Sequence, residues 1–282
     1  MPAKSPAGRL RMVSGDERVR RRPGGGRRSQ GPFVRSTVAR LIKSALPQRA
    51  VRELQYWQHR LRRGRVAKAG PQAAFAEVYA TKAWGDDGGD FFSGPGTVEA
   101  AVTAPYLDFL RSEFAAMARP PRVLDLGCGD FKVCSQLLPS VESVTGVDVV
   151  PELVARNTRL FGSERVRFLC ADISRDPLPE ADVVLVREVM QHMSNAQIAR
   201  LLKRLDAYPV AYVTNVEPAK DAVAVVNRDL VPGPDTRGVF GSGLFLDEPP
   251  FSFRAAPVLR LKSHQPGELP VEAVTRKAAH GR

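Results

Sequence analysis

Only three cysteines, Cys128, Cys134 and Cys170, occur in 282 residues. The number is odd and no C-x-x-C or Cys/His spacing surrounds them, which excludes a disulfide framework and a zinc site and leaves buried or loop thiols. Long hydrophobic runs are also missing. No stretch approaches the roughly 18 uninterrupted apolar residues of a membrane-spanning helix, and the first residues lack the apolar core of a secretory signal. The expectation is a soluble, cytoplasmic protein. No internal repeat is present. A 43% hydrophobic content is ample for one packed α/β domain with an appendage, whereas two full domains would be crowded.

The formal charge of +12 suggests a nucleic-acid binder until it is divided along the chain. Residues 1–70 carry 19 basic and 3 acidic side chains, and residues 71–282 carry 23 basic and 27 acidic ones. The basic character belongs to an extension, and the body is mildly acidic. A surface built to hold a polyphosphate backbone needs a Lys/Arg-lined face, so nucleic acid is not expected on the body.

Residues 1–32, with Arg20-Arg21-Arg22-Pro23-Gly24-Gly25-Gly26-Arg27-Arg28, combine like charge with Pro and Gly, and disorder is predicted there. Residues 33–69 place Val38, Leu41, Ile42 and Ala45, then Val51, Leu54, Trp57 and Leu61, at helical spacing around Pro47. Two basic amphipathic helices follow from that spacing. Such helices suit either peripheral contact with an anionic membrane or packing of the stripe on the body. The expected division is a basic extension over 1–70 and a globular domain over 71–282, with no obligate protein partner.

In the body, helices are predicted near 72–83 and 97–118, flanking a Gly/Asp-rich loop at 85–96. Beyond Pro120-Pro121 short apolar runs alternate with helical segments: strands at 122–126, 143–147, 166–169, 183–186 and 210–216, helices near 131–138, 151–161 and 195–206. A Gly/Pro-rich ordered loop spans 227–250, before a last strand near 257–261. This alternation predicts a doubly wound α/β fold around a mostly parallel sheet.

Chemistry concentrates at the strand ends. Val123-Leu124-Asp125-Leu126-Gly127-Cys128-Gly129-Asp130 is a buried strand running into a glycine turn, and glycines there let backbone approach a ligand closely. A dinucleotide G-x-G-x-x-G would need a third glycine at Lys132, which weakens the NAD reading. Asp148 ends the next strand, 21 residues beyond Gly127, where a carboxylate accepts from a ribose diol or caps the following helix. Asp172, with Ile173, follows the third strand and is placed to accept from an adenine amino group.

These motifs resemble the class I S-adenosylmethionine-dependent methyltransferases, over about residues 120–217. A likeness to a bacterial small-molecule subgroup extends through Phe75-x-x-Val78-Tyr79-x4-Trp84-Gly85, Phe92-Ser93-Gly94-Pro95-Gly96, Arg187-Glu188-Val189-Met190-Gln191-His192-Met193-Ser194-Asn195 and Gly241-Ser242-Gly243. The resemblance implies a Rossmann-like fold and S-adenosylmethionine as cofactor, with Asp125, Gly127 and Gly129 on its methionine moiety, Asp148 on the ribose, and Asp172 and Ile173 on the adenine. One departure is Phe131, where D-x-G-x-G-x-G often has its third glycine.

The segment after the fourth strand presents substrate-facing groups in such a fold. His192 is a candidate base or a structurally hydrogen-bonded core histidine. Glu188 is a second candidate catalytic residue, or a partner for the cofactor's ammonium. Arg187 would hold an anionic substrate or a neighbouring carboxylate. Tyr79 and Trp84, candidates for substrate binding, would with the 85–96 loop form a lid over the cofactor, or else be core of an N-terminal helix pair. The Asn/Asp-Pro-Pro-aromatic motif of base-directed amino methyltransferases is absent after the fourth strand, and Glu248-Pro249-Pro250-Phe251 reads as a turn. Without a carboxylate cluster suited to magnesium, metal-free transfer to an oxygen, less readily a nitrogen, of a small metabolite is expected. The rivals are an RNA or protein methyltransferase guided by the basic arm, and a non-catalytic cofactor-binding protein.

Overall fold

A computed structural model describes residues 47–262 and 271–277. Three helices precede the sheet: α1 (Gln48–Ala69), α2 (Pro71–Ala80) and α3 (Ala100–Ala115). The sheet begins with β1 (Arg122–Leu126), β2 (Ser143–Asp148) and β3 (Val166–Cys170), with α4 (Pro151–Phe161) between the last two. It continues with β4 (Val183–Arg187), α5 (Asn195–Leu205) and β5 (Val210–Glu217). Two short strands, β6 (Val225–Val226) and β7 (Ser242–Gly243), pair apart from it, and β8 (Ala256–Lys262) and β9 (Val271–Lys277) complete it.

The seven strands lie in the order β3-β2-β1-β4-β5-β9-β8, the first five parallel and β9 antiparallel to both its neighbours. From β1 the chain moves outward to β2 and β3, then returns to β4 on the other side of β1. Connections therefore diverge at β1, which opens a crevice at the carboxyl ends of β1 and β4.

The alternation of strand side chains decides what each face receives. Leu124, Leu126, Val184, Val186, Ala211 and Val213 point to the face covered by α5, where Ile198, Leu201, Leu202 and Leu205 pack on them. Each such buried aliphatic contributes roughly 1.5–3 kcal/mol. The opposite face carries Val123, Val183, Leu185 and Tyr212 against Val102, Tyr106, Leu107, Leu110 and Phe114, which α3 supplies. By the same period Asp125 and Arg187 fall on the α3 face, next to each other at the crevice. A capping box starts α5: Ser194 Oγ accepts from Gln197 N and Gln197 Oε1 accepts from Ser194 N.

Three expectations are corrected. Instead of a helix near 131–138, the chain turns left-handed at Phe131 and forms a 3₁₀ segment, Cys134–Ser140. Pro139 lies inside it and has no N–H to continue an α-helical ladder. The strand near 257–261 is not the last, since β9 pairs between it and β5. Third, the compact body begins at Pro47 rather than at residue 71. The inner stripe of α1 is held: Tyr56 is buried with Leu230 and Phe240, His59 Nδ1 lies 3.1 Å from Asp235 Oδ2, and Arg63 Nε donates to Pro232 O at 3.2 Å. Trp57 and Leu61 remain exposed. The predicted helix and disorder before Pro47 lie outside the described residues. Among the described helices none is long and apolar enough to cross a membrane.

Candidate active site

Beyond β1 the backbone turns with φ of 76° at Gly127, 53° at Gly129 and 63° at Phe131. A Cβ on Gly127 would meet Val189 Cγ2 at 2.4 Å, and one on Gly129 would meet Ser93 Oγ at 2.4 Å. Both glycines are therefore required by conformation and by close approach. Phe131 keeps the left-handed backbone that a third glycine would take, at a cost of about 1–2 kcal/mol. Its buried ring offsets that cost, packed edge-on against Phe161 and Phe168 at 5.3 and 4.8 Å.

The glycine turn is held from three sides. Asp148, at the end of β2, accepts from Gly129 N through Oδ2 and from Val150 N through Oδ1, both at 3.1 Å. Val150 is the N-cap of α4 and no side chain caps it, so Asp148 braces the turn and lines the cavity rather than capping the helix. Burial raises its pKa, while those N–H groups pull it down. Asn157 on α4 donates to Gly129 O at 2.7 Å. From the 85–96 loop, Ser93 N donates to Asp130 Oδ2 at 3.2 Å, Asp130 N donates to Ser93 Oγ at 2.8 Å, and Tyr79 Oη lies 3.2 Å from the same Oγ. Lys132 with Asp87, and Arg156 with Asp90, clasp that loop farther out. After β3, Asp172 Oδ1 accepts from Ser174 N at 2.8 Å beside buried Ile173.

Asp125 and Arg187 meet at the crevice floor. Burial pushes the Asp125 carboxyl up to about 7, against the opposing pull of a hydrogen bond with Cys134 and the charge of Arg187. Arg187 donates to Gly96 O at 3.0 Å, and its guanidinium lies 5.2 Å from the centre of the Tyr106 ring. Glu188 follows with φ of 56°, its N–H donating to Thr214 O at 2.8 Å and its carboxylate lying against Gly96.

A 3₁₀ turn, Met190–His192, then presents the imidazole of His192 beside Trp84, ring centres 5.1 Å apart. Trp84 Nε1 donates to Pro234 O at 3.2 Å, and His192 O accepts from Gly233 N at 3.3 Å, so one loop holds the Trp84 ring and the main chain at His192. Burial lowers the His192 pKa, only partly countered by Glu188 and the main chain at Asp235 and Gly233, which leaves the ring neutral at pH 7. Its Nδ1 is buried without a hydrogen bond, and Nε2 lies 3.4 Å from Gln191 Nε2.

The other wall comes from α1 and the loop after β5. Arg237 is 2% exposed and spends its guanidinium on carbonyls of Arg228, Met190, Gln191 and Met193 and on Asn195 Oδ1. Burial lowers its pKa to about 10, which keeps it charged at neutral pH. Together these walls enclose about 1100 Å³. That exceeds the roughly 300–1,000 Å³ of a usual small-ligand site, leaving room for two ligands side by side. Every residue singled out from the sequence lines it: Asp125, Gly127, Gly129, Asp148, Asp172, Ile173, Arg187, Glu188, His192, Tyr79 and Trp84.

Residues 123–209, from β1 to the loop before β5, match the family described as a methyltransferase domain. Over that stretch the chain is similar to methyltransferase domains. An uncharacterized methyltransferase of Mycobacterium tuberculosis is 33% identical over 104 residues, 34% of this chain and 52% of that relative. The chain thus spans about half the length of these curated relatives. Acetylserotonin O-methyltransferase of Bos taurus is 29% identical over 89 residues, 30% of this chain and 26% of that protein. Among solved structures, the 1,6-didemethyltoxoflavin-N1-methyltransferase of Burkholderia thailandensis is similar with a TM-score of 0.49 and 21% identity, covering 73% of this chain and 85% of that one.

Several residues that build this cavity escape a reading of the sequence. Asp130 looks like a loop residue yet latches Ser93, Asn157 looks like helix surface yet is buried on Gly129 O, and Arg237 looks like a solvated charge yet is buried. The only available signals were the Ser93-Gly94-Pro95-Gly96 and Gly241-Ser242-Gly243 runs, which mark close backbone packing without saying on what.

Proposed function

We propose that this protein transfers the S-methyl group of S-adenosylmethionine to an oxygen, less readily a nitrogen, of a small metabolite. The observation that supports it best is one cavity bounded at one end by Asp125, Asp148, Asp172 and the glycine turn, and along its wall by a neutral histidine. The glycine turn lines the cavity with backbone alone, which lets a cofactor approach closely, and the acidic donors suit an ammonium and a ribose diol. When bound, the cofactor supplies a methyl group already activated by its sulfonium.

The chain's residues then have mainly to align and to handle a proton. Asp125 and Glu188 would face the ammonium end, Asp148 the ribose hydroxyls, and Asp172 with Ile173 the adenine. His192, held by Trp84 and the 233–235 loop, would take the proton that the acceptor hydroxyl loses, and its lowered pKa keeps the ring free to accept it. Positioning carries most of the rate, and general-base help is worth about 10²–10⁴. The basic residues 1–46 would be an appendage to this body.

Calorimetry with S-adenosylhomocysteine should show low-micromolar binding to the folded chain, and labelled S-adenosylmethionine with a metabolite extract should yield a labelled small molecule. Absence of binding by folded protein overturns the proposal, and label passing to RNA or protein moves it to the rival acceptors. With a substrate in hand, His192→Ala should lower turnover by about 10²–10⁴ at unchanged cofactor affinity. Parallel loss of melting temperature and cofactor binding would reassign the residue to packing.

A further inference from the structure

The two ends of the cavity differ in charge. The cofactor end is acidic, while the end built by α1 and the loop after β5 carries guanidinium groups. Arg52, in the first turns of α1, lines the cavity and lies across Gly241, where a Cβ would meet its Cδ at 2.8 Å and its Nη1 at 2.9 Å. It is half-buried, and no carbonyl or carboxylate among the described residues takes a hydrogen bond from it. Its inward-facing neighbours on α1 are committed: Arg60 to Tyr56 Oη and, at 3.7 Å, Asp229, and Arg63 to Pro232 O and Glu77.

Two carboxylates of the same wall region are also taken. Glu53 pairs with Arg228, and Asp235 lies 3.1 Å from His59. Arg237 adds a second positive charge to the same wall, but carbonyl and amide oxygens occupy its N–H groups, so it supplies field rather than a free donor. A guanidinium with open donors inside a cavity, backed by another that makes no direct ion pair among the described residues and feels Asp229 only at a distance, has the chemistry that holds an anion in a forked pair of hydrogen bonds.

We propose that Arg52 anchors an anionic group, carboxylate or phosphate, on the methyl-accepting substrate, which makes the substrate class small anionic metabolites. This rests on the methyltransferase reading above, and it assigns to α1 a direct part in recognition. Arg52 would set orientation: with the anion fixed at the α1 end, the rest of the molecule extends along the cavity toward His192.

The test uses the full chain, calorimetry, and inorganic phosphate and acetate as probes, titrated with and without saturating S-adenosylhomocysteine. One or both anions should bind with a dissociation constant of about 1–10 mM. Arg52→Gln should weaken that binding at least about tenfold, Arg52→Lys should retain part of it, and both should keep the melting temperature and the affinity for S-adenosylhomocysteine. The stronger of the two probes distinguishes a phosphate from a carboxylate substrate. No anion binding, or equal binding to Arg52→Gln, overturns the proposal. So does an equal loss of S-adenosylhomocysteine affinity in Arg52→Gln, which would place the cofactor's own carboxylate on Arg52. Failure of S-adenosylhomocysteine to bind the native chain is a separate result: it sinks the methyltransferase reading, and the anion titrations without it still decide the role of Arg52.

Discussion

The two ends of the cavity are built by opposite means. At the end proposed for the cofactor, three consecutive strand ends deliver Asp125, Asp148 and Asp172, and short backbone turns fix the shape. At the α1 end no strand end contributes in this way. A helix before the sheet and a loop after β5 meet there, and side chains such as Arg237 and Tyr56 hold them together. The first end is specified locally and the second by contacts between distant segments, so they should fail differently when perturbed.

The sharpest test of that difference is Arg237→Leu. Removing a buried guanidinium leaves four carbonyls and one amide oxygen without their donor, and a loss of about 3–5 kcal/mol is expected. Denaturant melts should show it, with Arg52-dependent anion binding falling too; a drop of less than about 1 kcal/mol would mean the α1 end is held by something else. Gly127→Ala attacks the opposite end, where φ of 76° and the 2.4 Å approach to Val189 must both yield. We expect a loss of about 2–3 kcal/mol, mostly in S-adenosylhomocysteine affinity rather than in anion binding. If both ligands weaken together, the ends are one cooperative unit and the contrast collapses.

Asp148→Asn is gentler. One carboxylate oxygen becomes an amide N–H facing a donor, Gly129 N or Val150 N, and cofactor affinity should fall by about 1–3 kcal/mol with a small change in melting temperature. Unchanged affinity would leave Asp148 as a brace of the glycine turn only. The smallest effect is one of pH. Asp125 has its pKa raised to about 7 in the fold, well above the usual carboxylate value, so between pH 4 and 7 the folded state binds more protons than the unfolded one. Its contribution therefore falls as pH rises through that window. Asp125→Asn should flatten the decline, visible as a variant gaining on the native chain in melts at pH 7 compared with pH 5. A constant difference between the two would show that Asp125 does not titrate there.

Much of the fold was legible because it is periodic. β1 and α4 fall where alternation and helical spacing put them, and the Pro151 and Gly162 that bracket α4 are local punctuation. The helix expected at 131–138 failed because helical spacing says nothing of a left-handed Phe131, a conformation that only packing between Phe161 and Phe168 sustains. β9 went unread because Val271–Lys277 mixes apolar and charged residues over a single short span, and its place between β5 and β8 is set by pairing with strands elsewhere.

The sequence by itself determined the cofactor end. Glycine, Asp and strand period act within a few residues of one another, and the conformations they permit are properties of the local chain. Only the tertiary structure decided the α1 end. Arg52 and Gly241 stand 189 residues apart and His59 and Asp235 176, while Arg237 reaches oxygens 9 to 47 residues away. Whether an arginine is solvated, buried on carbonyls or left open inside a cavity depends on which oxygens arrive beside it, and those arrive only when the chain has closed.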